Sequence, residues 1–248
     1  MRYNQNIPGW LVLPAATTML FSSLAVATHA GEISLPFNAN NFKSPRDNVY
    51  LPMAIGKTYV YEADKEDGLV VNEITHTAKT KKILGVRTTV VHDVEWLIVE
   101  GVGLVKTEET TDWIAWDKFG NVWYFGEDTT EFLYDENWNQ IGTSKAGSWQ
   151  AGVDGARPGI LMLANPKPGV SYRQEFAAGV AEDMAQVLRV DATVSIELSD
   201  FANCVETKEW TPLDPGTVEH KFYAPRVGLV YIEQLSGKTV KVELVEIR

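Results

Sequence analysis

Short runs of alternating apolar and polar residues recur along most of the chain. In the clearest run, at the C-terminus, Val240, Val242 and Leu244 share one parity while Lys241 and Glu243 share the other. Side chains of a β-strand alternate between its faces, so such runs predict strands with one buried and one solvated face. The runs are separated by turn residues and cover 58–62, 70–77, 86–96, 104–116, 122–127, 131–134, 171–176, 185–197, 204–211, 218–223, 227–234 and 239–247. They predict an antiparallel all-β fold, either a β-barrel or a strongly curved sheet.

Helical periodicity is almost absent. The pattern admits one short helix, over residues 179–188, where Ala181, Met184, Ala185 and Val187 are the apolar positions. The sequence therefore predicts at most this one helical segment.

A stretch rich in glycine and proline, residues 146–169, divides the predicted strands into two groups. Glycine and proline interrupt regular elements, so the stretch is predicted to be a long irregular loop. It also contains Trp149 and the apolar run 160–163, which favour burial. We interpret it as a packed loop within one domain, and loops of this length are usually functional.

The first 30 residues have the pattern of a secretory signal peptide. They carry Arg2 and no acidic residue, followed by a largely apolar stretch over 10–27. Cleavage after Ala27 or Ala30 fits this pattern, and a retained N-terminal anchor is the alternative. Pro14 interrupts the apolar stretch, which argues against a permanent transmembrane helix. The prediction is an exported protein, periplasmic or extracellular, without a transmembrane segment after cleavage.

The rest of the chain divides into a leader and a domain. Residues 31–50 are rich in Asn, Ser and Pro and lack periodicity, which predicts an irregular leader or a segment draped over the edge of a sheet. Residues 51–248 are predicted to form a single β-rich domain. Cys204 is the only cysteine, so no intramolecular disulfide is available, and this residue is expected to be a small buried hydrophobe.

Charge narrows the range of partners. The chain has 33 acidic and 22 basic residues, a net charge of −11. Removal of Arg2 with the signal peptide leaves 21 basic residues and a net charge of −12. Nucleic acids and anionic membranes attract clustered Lys and Arg, so both are improbable partners. Cations, neutral sugars and apolar small molecules remain open, and acidity also favours solubility.

Aromatic and acidic residues are most concentrated in residues 108–136. This stretch contains eight aromatic and nine acidic residues, and Lys118 is its only basic residue. A hairpin turning at 119–121 is expected there. Trp123 and Phe125 would face one way and Tyr124 the other, so the strand is either buried on both faces or lines a cavity with one of them.

A cavity inside a β-barrel can hold a small apolar ligand. The hairpin and the loop over 147–159 are the predicted ligand site of a non-catalytic binding protein. The ligand-binding candidates are Trp116, Trp123, Tyr124, Trp149 and Arg173.

Carboxylates in the same hairpin suggest a cation as a second class of ligand. Asp117, Glu127 and Asp128 would lie close together if the hairpin forms, and Ca²⁺ takes carboxylate oxygens. Calcium is thus the cofactor hypothesis. The Asp-x-Asn-x-Asn sequence beginning at Asp135 lacks the glycine and glutamate positions of an EF-hand loop, which favours a structural hairpin.

Two further functions remain open. Glu127 and Glu175 could act as the carboxylate pair of a glycosidase-like hydrolase, with tryptophans stacking on sugar rings. A purely structural envelope protein is the other alternative. A serine hydrolase is poorly supported, because Ser148 lacks the second glycine of a nucleophile elbow.

Several longer motifs resemble a family of uncharacterised exported bacterial proteins. The similarity covers about 51–233, and its motifs are DWIAWD at 112–117, GNVWYFGED at 120–128, GSWQAGVDGARPGI at 147–160, YRQE at 172–175 and KEWTPL at 208–213. The resemblance implies secretion and a β-rich fold and carries no catalytic residue. Arg226 departs from it, because a small turn residue such as glycine would be usual there.

Overall fold

The protein is described by a computed structural model that covers residues 31–65, 68–235 and 240–248. Within them the chain forms fourteen β-strands and one 3-10 helix, Ala39–Phe42. The strands are β1 (Thr58–Lys65), β2 (Gly68–Ile83), β3 (Val86–Val99), β4 (Gly103–Trp116), β5 (Val122–Tyr134), β6 (Gln140–Ser144), β7 (Trp149–Gln150), β8 (Gly159–Met162), β9 (Ser171–Arg173), β10 (Met184–Ser195), β11 (Asp200–Thr211), β12 (Asp214–Ala224), β13 (Gly228–Gln234) and β14 (Val240–Ile247).

The strands form one antiparallel sheet in the order β6-β5-β4-β3-β2-β1-β14-β13-β12-β11-β10-β9. Strands adjacent in sequence are neighbours along most of this order, and β1 pairs with β14 to join the two halves. Two short strands, β7 and β8, both pair with β5. The predicted antiparallel all-β class is confirmed, and the sheet remains open between β6 and β9.

The sheet curves until its two halves share an interior. Ile114 of β4 and Tyr124 of β5 belong to the same buried cluster as Val187 of β10, Val205 of β11 and Tyr223 of β12. Burial of this apolar surface is the main favourable contribution to folding. Cys204 is buried and free, as its apolar neighbours predict.

The predicted helix over 179–188 is wrong. Residues 184–188 are the beginning of β10. Backbone hydrogen bonds between Ala177 and Ala181 form a turn before this strand. Met184, Ala185 and Val187 are all buried. Apolar residues on both faces of a strand that lies between two others imitate the spacing of a short helix.

The loop predicted over 146–169 contains two regular elements, β7 and β8. Both are too short for periodicity to reveal, and each is fixed by its hydrogen bonds to β5. Gly159 is required in β8 because a Cβ atom there would overlap the carbonyl oxygen of Gln174. The stretch packs against the sheet, with Trp149 and Met162 buried.

The leader, residues 31–50, lies on the outer face of β5. The rings of Phe37 and Phe42 pack edge-on against Trp123 and Phe125, with centroid separations of 5.7–6.1 Å. The backbone N–H of Ile33 donates to the carbonyl oxygen of Ser171 at 2.8 Å. This segment buries the second face of the strand.

The N-terminal signal peptide lies outside the described residues. Among those that the structure does describe, no helix has the length and apolar character needed to cross a membrane. Arg226, the departure from the family pattern, has φ +68° in the turn between β12 and β13. That left-handed conformation is the one that glycine adopts most easily.

Candidate functional site

A β-bulge in the β4–β5 hairpin decides which of its side chains face the interior. Asp112 pairs with Glu127, whereas Ile114 pairs with Tyr124, so β5 has one extra residue between them. Gly126 lies in this interval with φ +119°. Because of the extra residue, Glu127 shares the inner face with Tyr124, and strict alternation would have placed it on the opposite face.

One row of residues crosses five strands at this level. His76 of β2 pairs with Val91 of β3, which pairs with Asp112, which pairs with Glu127, which pairs with Trp149 of β7. All five are buried. The row forms one wall of the interior.

Two carboxyl groups of this wall have incomplete hydrogen bonding. The Tyr124 hydroxyl donates to Asp112 Oδ1 at 2.6 Å, and the Thr129 hydroxyl donates to Glu127 Oε2 at 3.3 Å. Asp112 Oδ2 and Glu127 Oε1 have no hydrogen-bond partner among the described residues. Buried polar atoms without a partner carry a desolvation penalty of about 1–3 kcal/mol each.

Burial shifts the proton equilibria of these carboxyl groups. It raises the pKa of Asp112 to about 7, against the opposing effect of the Tyr124 hydrogen bond. Burial raises the pKa of Glu127 well above its usual value, and repulsion from Glu175 adds to the shift. The pKa of Glu175 is raised in the same direction, by burial and then by Asp183. Burial therefore favours the protonated form of both Glu127 and Glu175.

The opposite wall carries a buried ion pair. Lys221 Nζ lies 2.9 Å from Glu209 Oε2 and 3.4 Å from Glu219 Oε2. Burial alone would lower the pKa of Lys221, but the two carboxylates raise it above the usual value. The Tyr223 hydroxyl donates to Glu209 Oε1 at 3.1 Å. This wall thus contains a paired cation, with its charge already compensated.

Between the walls lies a cavity of about 90 Å³, the inner cavity. Its lining is mostly apolar and aromatic and includes Tyr59, His76, Asp112, Tyr124 and Tyr223. His76 is buried, and its Nδ1 atom has no hydrogen-bond partner in the described part of the chain. Burial lowers the pKa of His76 to about 4, so the imidazole is neutral at pH 7.

A larger cavity of about 550 Å³, the outer cavity, lies on the other side of β5. The leader segment 32–37 forms one side, and Trp123, Arg157, Arg173 and Phe176 contribute to the rest. The Arg157 guanidinium stacks 3.7 Å from the Phe176 ring centroid, and that of Arg173 lies 5.2 Å from the same ring.

The ligand-binding candidates are divided between these cavities. Trp123 and Arg173 line the outer cavity, and Tyr124 lines the inner one, where Trp149 packs edge-on against it at 5.5 Å. Trp116 lines neither. Its ring lies 6.4 Å from that of His76, and its indole N–H donates to the carbonyl oxygen of Leu51 at 2.8 Å.

Sequence reasoning missed two residues with suitable chemistry. Arg157 lies in the glycine-rich stretch and lines the outer cavity, while His76 lines the inner cavity. Neither an arginine between alanine and proline nor a histidine in a strand indicates, from its neighbours in sequence, that it lies at a cavity. Strand register places His76, and the isolated bridge between Arg157 and Phe176 places Arg157.

The three carboxylates of the calcium hypothesis do not converge. Asp117 accepts four hydrogen bonds in the β4–β5 turn, from two backbone N–H groups, the Asn121 amide and the Trp123 indole. Glu127 faces the interior, whereas Asp128 is exposed and pairs with Lys145 at 2.7 Å. No group of three or more metal-ligating side chains is arranged to hold an ion within the described residues.

The glycosidase pair also lacks the expected arrangement. Retaining glycosidases need one protonated and one ionised carboxyl group. Glu127 and Glu175 are both fully buried with raised pKa values, and neither lines the inner or the outer cavity.

Comparison with known proteins gave distant structural similarity. No family model and no curated protein matches the chain. A candidate exported protein with a YmcC-like fold from Bacteroides fragilis is 14% identical, with a TM-score of 0.44 over 81% of this chain and 99% of that chain. A candidate lipoprotein from Parabacteroides distasonis is 12% identical, with a TM-score of 0.39 over 82% and 100%. A β-barrel-like protein of domain of unknown function DUF1849 from Brucella abortus is 10% identical, with a TM-score of 0.36 over 77% and 95%.

Proposed function

We propose that this chain is an exported, non-catalytic protein that binds a small amphipathic anion in the outer cavity. The observation that carries the proposal is a cavity of about 550 Å³ with two arginines at an otherwise mainly apolar and aromatic wall. Its volume lies within the roughly 300–1,000 Å³ that is usual for small-molecule sites.

The charges favour an anionic head group. Arg157 has no carboxylate partner among the described residues, and the nearest contact of Arg173 to a carboxylate is 3.9 Å, to Glu32. In a chain with a net charge of −11, this cavity is lined by two arginines and one carboxylate, Glu32, so its local charge is positive. A guanidinium binds a carboxylate or sulfonate through two parallel hydrogen bonds.

The apolar lining favours a hydrocarbon body. Phe37, Trp123 and Ile160 line the cavity together with Leu35 and Leu84. Burying an alkyl chain against them contributes about 0.8 kcal/mol per methylene group. A medium-chain or aromatic carboxylate therefore fits both the arginines and the apolar lining of the outer cavity.

Calorimetric titration with octanoate, 1-octanol and octylammonium tests this proposal. We expect octanoate to bind most tightly and Arg157→Gln to weaken it about tenfold or more, which corresponds to about 1.4 kcal/mol. Arg87→Gln is the matched control, because Arg87 is exposed on β3 and lines neither cavity. Equal binding of octanoate and octanol, or no effect of Arg157→Gln, would overturn the assignment.

A further inference from the structure

We propose that the inner cavity is a second binding site, specific for a small primary ammonium ion. Two buried polar atoms without partners, Asp112 Oδ2 and His76 Nδ1, belong to residues that line this cavity. The inference is independent of the anion site, because the two cavities lie on opposite sides of β5.

The unpaired atoms require a donor. The only O–H of Tyr124 is directed to Asp112 Oδ1, so Oδ2 is left as an acceptor. Neutral His76 offers a lone pair at Nδ1 when its proton is on Nε2. A primary ammonium carries three N–H donors and no acceptor, so it satisfies Asp112 Oδ2 without adding a new unpaired lone pair.

The buried carboxyl group of Asp112 has an oxygen, Oδ2, without a partner among the described residues. The buried Lys221 on the opposite wall is already engaged by Glu209 and Glu219. A buried carboxylate is stabilised only when it is paired and hydrogen-bonded. An ammonium ion beside Asp112 would supply that pairing where the protein itself does not.

The shape of the cavity limits the size of the ligand. A single water needs about 10–15 Å³ of such space, so about 90 Å³ holds a molecule of at most about six to nine non-hydrogen atoms. Tyr59, Tyr124 and Tyr223 provide aromatic walls, which attract organic cations.

Strand register sets the length of the ligand. Val91 lies between His76 and Asp112 in the row, and adjacent strands are about 4.8 Å apart. A short alkyl body therefore lies across Val91, next to Ile114, and the ammonium group contacts Asp112. n-Propylammonium, which has four non-hydrogen atoms, fits within this space.

The test is calorimetric titration at pH 8 with n-propylammonium, compared with propan-1-ol, propionate and potassium ion. We expect saturable binding of n-propylammonium alone and at least a tenfold loss of affinity in Asp112→Asn. That variant keeps the shape of the side chain and removes its charge. Asp128→Asn is the matched control, because Asp128 is exposed and pairs with Lys145.

A second variant keeps the result interpretable if Asp112→Asn alters the fold. Val91→Phe keeps the carboxyl group and fills the cavity, so it should also abolish binding of n-propylammonium. Arg157→Gln should leave this binding unchanged and weaken only octanoate. The proposal is overturned if propan-1-ol binds equally well, if potassium competes at equal concentration, if Asp112→Asn binds normally, or if no heat of binding appears at millimolar n-propylammonium.

Discussion

Two aspartates five positions apart have opposite environments. Asp117 receives four hydrogen bonds within a turn, whereas Asp112 receives one from Tyr124 and keeps an unpaired oxygen inside the sheet. The first carboxylate stabilises the fold and has no free oxygen for a ligand. The second has a free acceptor at a cavity, and that difference makes Asp112 the functional candidate.

The β4–β5 turn has a counterpart that allows a controlled measurement. Asp135 in the β5–β6 turn accepts from the backbone N–H groups of Asn137 and Asn139 and from the Asn139 amide, the pattern that Asp117 repeats. Asp117 is buried and also accepts from the indole of Trp123, whereas Asp135 is half-buried and its hydrogen bonds are exposed to solvent. Comparison of variants at these two carboxylates therefore separates the effect of burial on stability from the effect of turn geometry.

Asp117→Ala is expected to lower the free energy of unfolding by about 2–4 kcal/mol, because it leaves buried N–H donors unpaired. Asp135→Ala should cause a clearly smaller loss, since water replaces the carboxylate at an exposed turn. Urea denaturation followed by tryptophan fluorescence measures both. Equal losses in the two variants would contradict this account of Asp117.

At the scale of elements, β5 is the strand that contacts both cavities and pairs with four other strands. These are β4, β6, β7 and β8, and β5 lies between the two cavities. Trp123 and Phe125 face the leader, while Tyr124 and Glu127 face the interior. The bulge at Gly126 produces this division. Without it, Glu127 would lie on the outer face.

Replacement of the bulge glycine tests the role of β5. In Gly126→Ala the new Cβ atom would overlap the backbone of Trp149, and φ +119° is unfavourable for alanine. We expect a loss of more than about 2 kcal/mol in the free energy of unfolding, because β7 must shift away from β5. Thermal and urea denaturation report the loss.

Gly142→Ala on β6 is the matched control. Its Cβ atom would meet only the end of the Leu133 side chain at 3.9 Å. Alanine loses less conformational freedom than glycine in a strand, so this variant should be neutral or slightly more stable. If both variants behaved alike, the bulge would not be a constraint on the fold.

At the scale of the whole molecule, the curved sheet encloses more carboxyl groups than cations. The pKa is raised above the usual value, mainly by burial, for Asp93, Glu108, Asp112, Glu127, Glu175 and Asp183. Burial therefore favours the protonated form of these groups in the folded state. Proton uptake is coupled to the stability of the entire fold.

Stability is expected to fall as pH rises from about 4 to about 7. The unfolded chain loses its protons near the usual pKa of 3.8 for Asp, whereas folded Asp112 keeps its proton up to about 7. In this range the native state binds more protons, so each such group costs about 1.4 kcal/mol per pH unit. His76, with a pKa lowered to about 4, acts in the opposite direction but is a single group.

Thermal denaturation across pH 5 to 8 checks this dependence. We expect a higher Tm at pH 5 than at pH 8 for the native chain and a flatter profile for Asp112→Asn. Asp128→Asn, on the exposed face, should retain the native profile. A Tm that rises towards pH 8 would show that the interior carboxyl groups are neutralised in another way.

Local patterns predicted much of the architecture because strand alternation is a property of neighbouring residues. Val240, Val242 and Leu244 in β14 and the aromatic run in β5 were read correctly as strands. The helix over 179–188 was wrong. The hairpin expected at Asp135 leads into β6, whereas β7 and β8 were missed because strands of two to four residues are fixed by their partners. The opposite faces of Trp123 and Tyr124 also followed from alternation.

The sequence by itself determined the β class, the acidic charge and the aromatic hairpin, since each depends only on residue type and local spacing. The tertiary structure alone decided which side chains converge. One bulge turned Glu127 inward, the leader closed the outer cavity over Trp123, and strand register aligned His76 with Asp112. These contacts join residues far apart in the chain, and only the hydrogen-bonded register of the sheet specifies them.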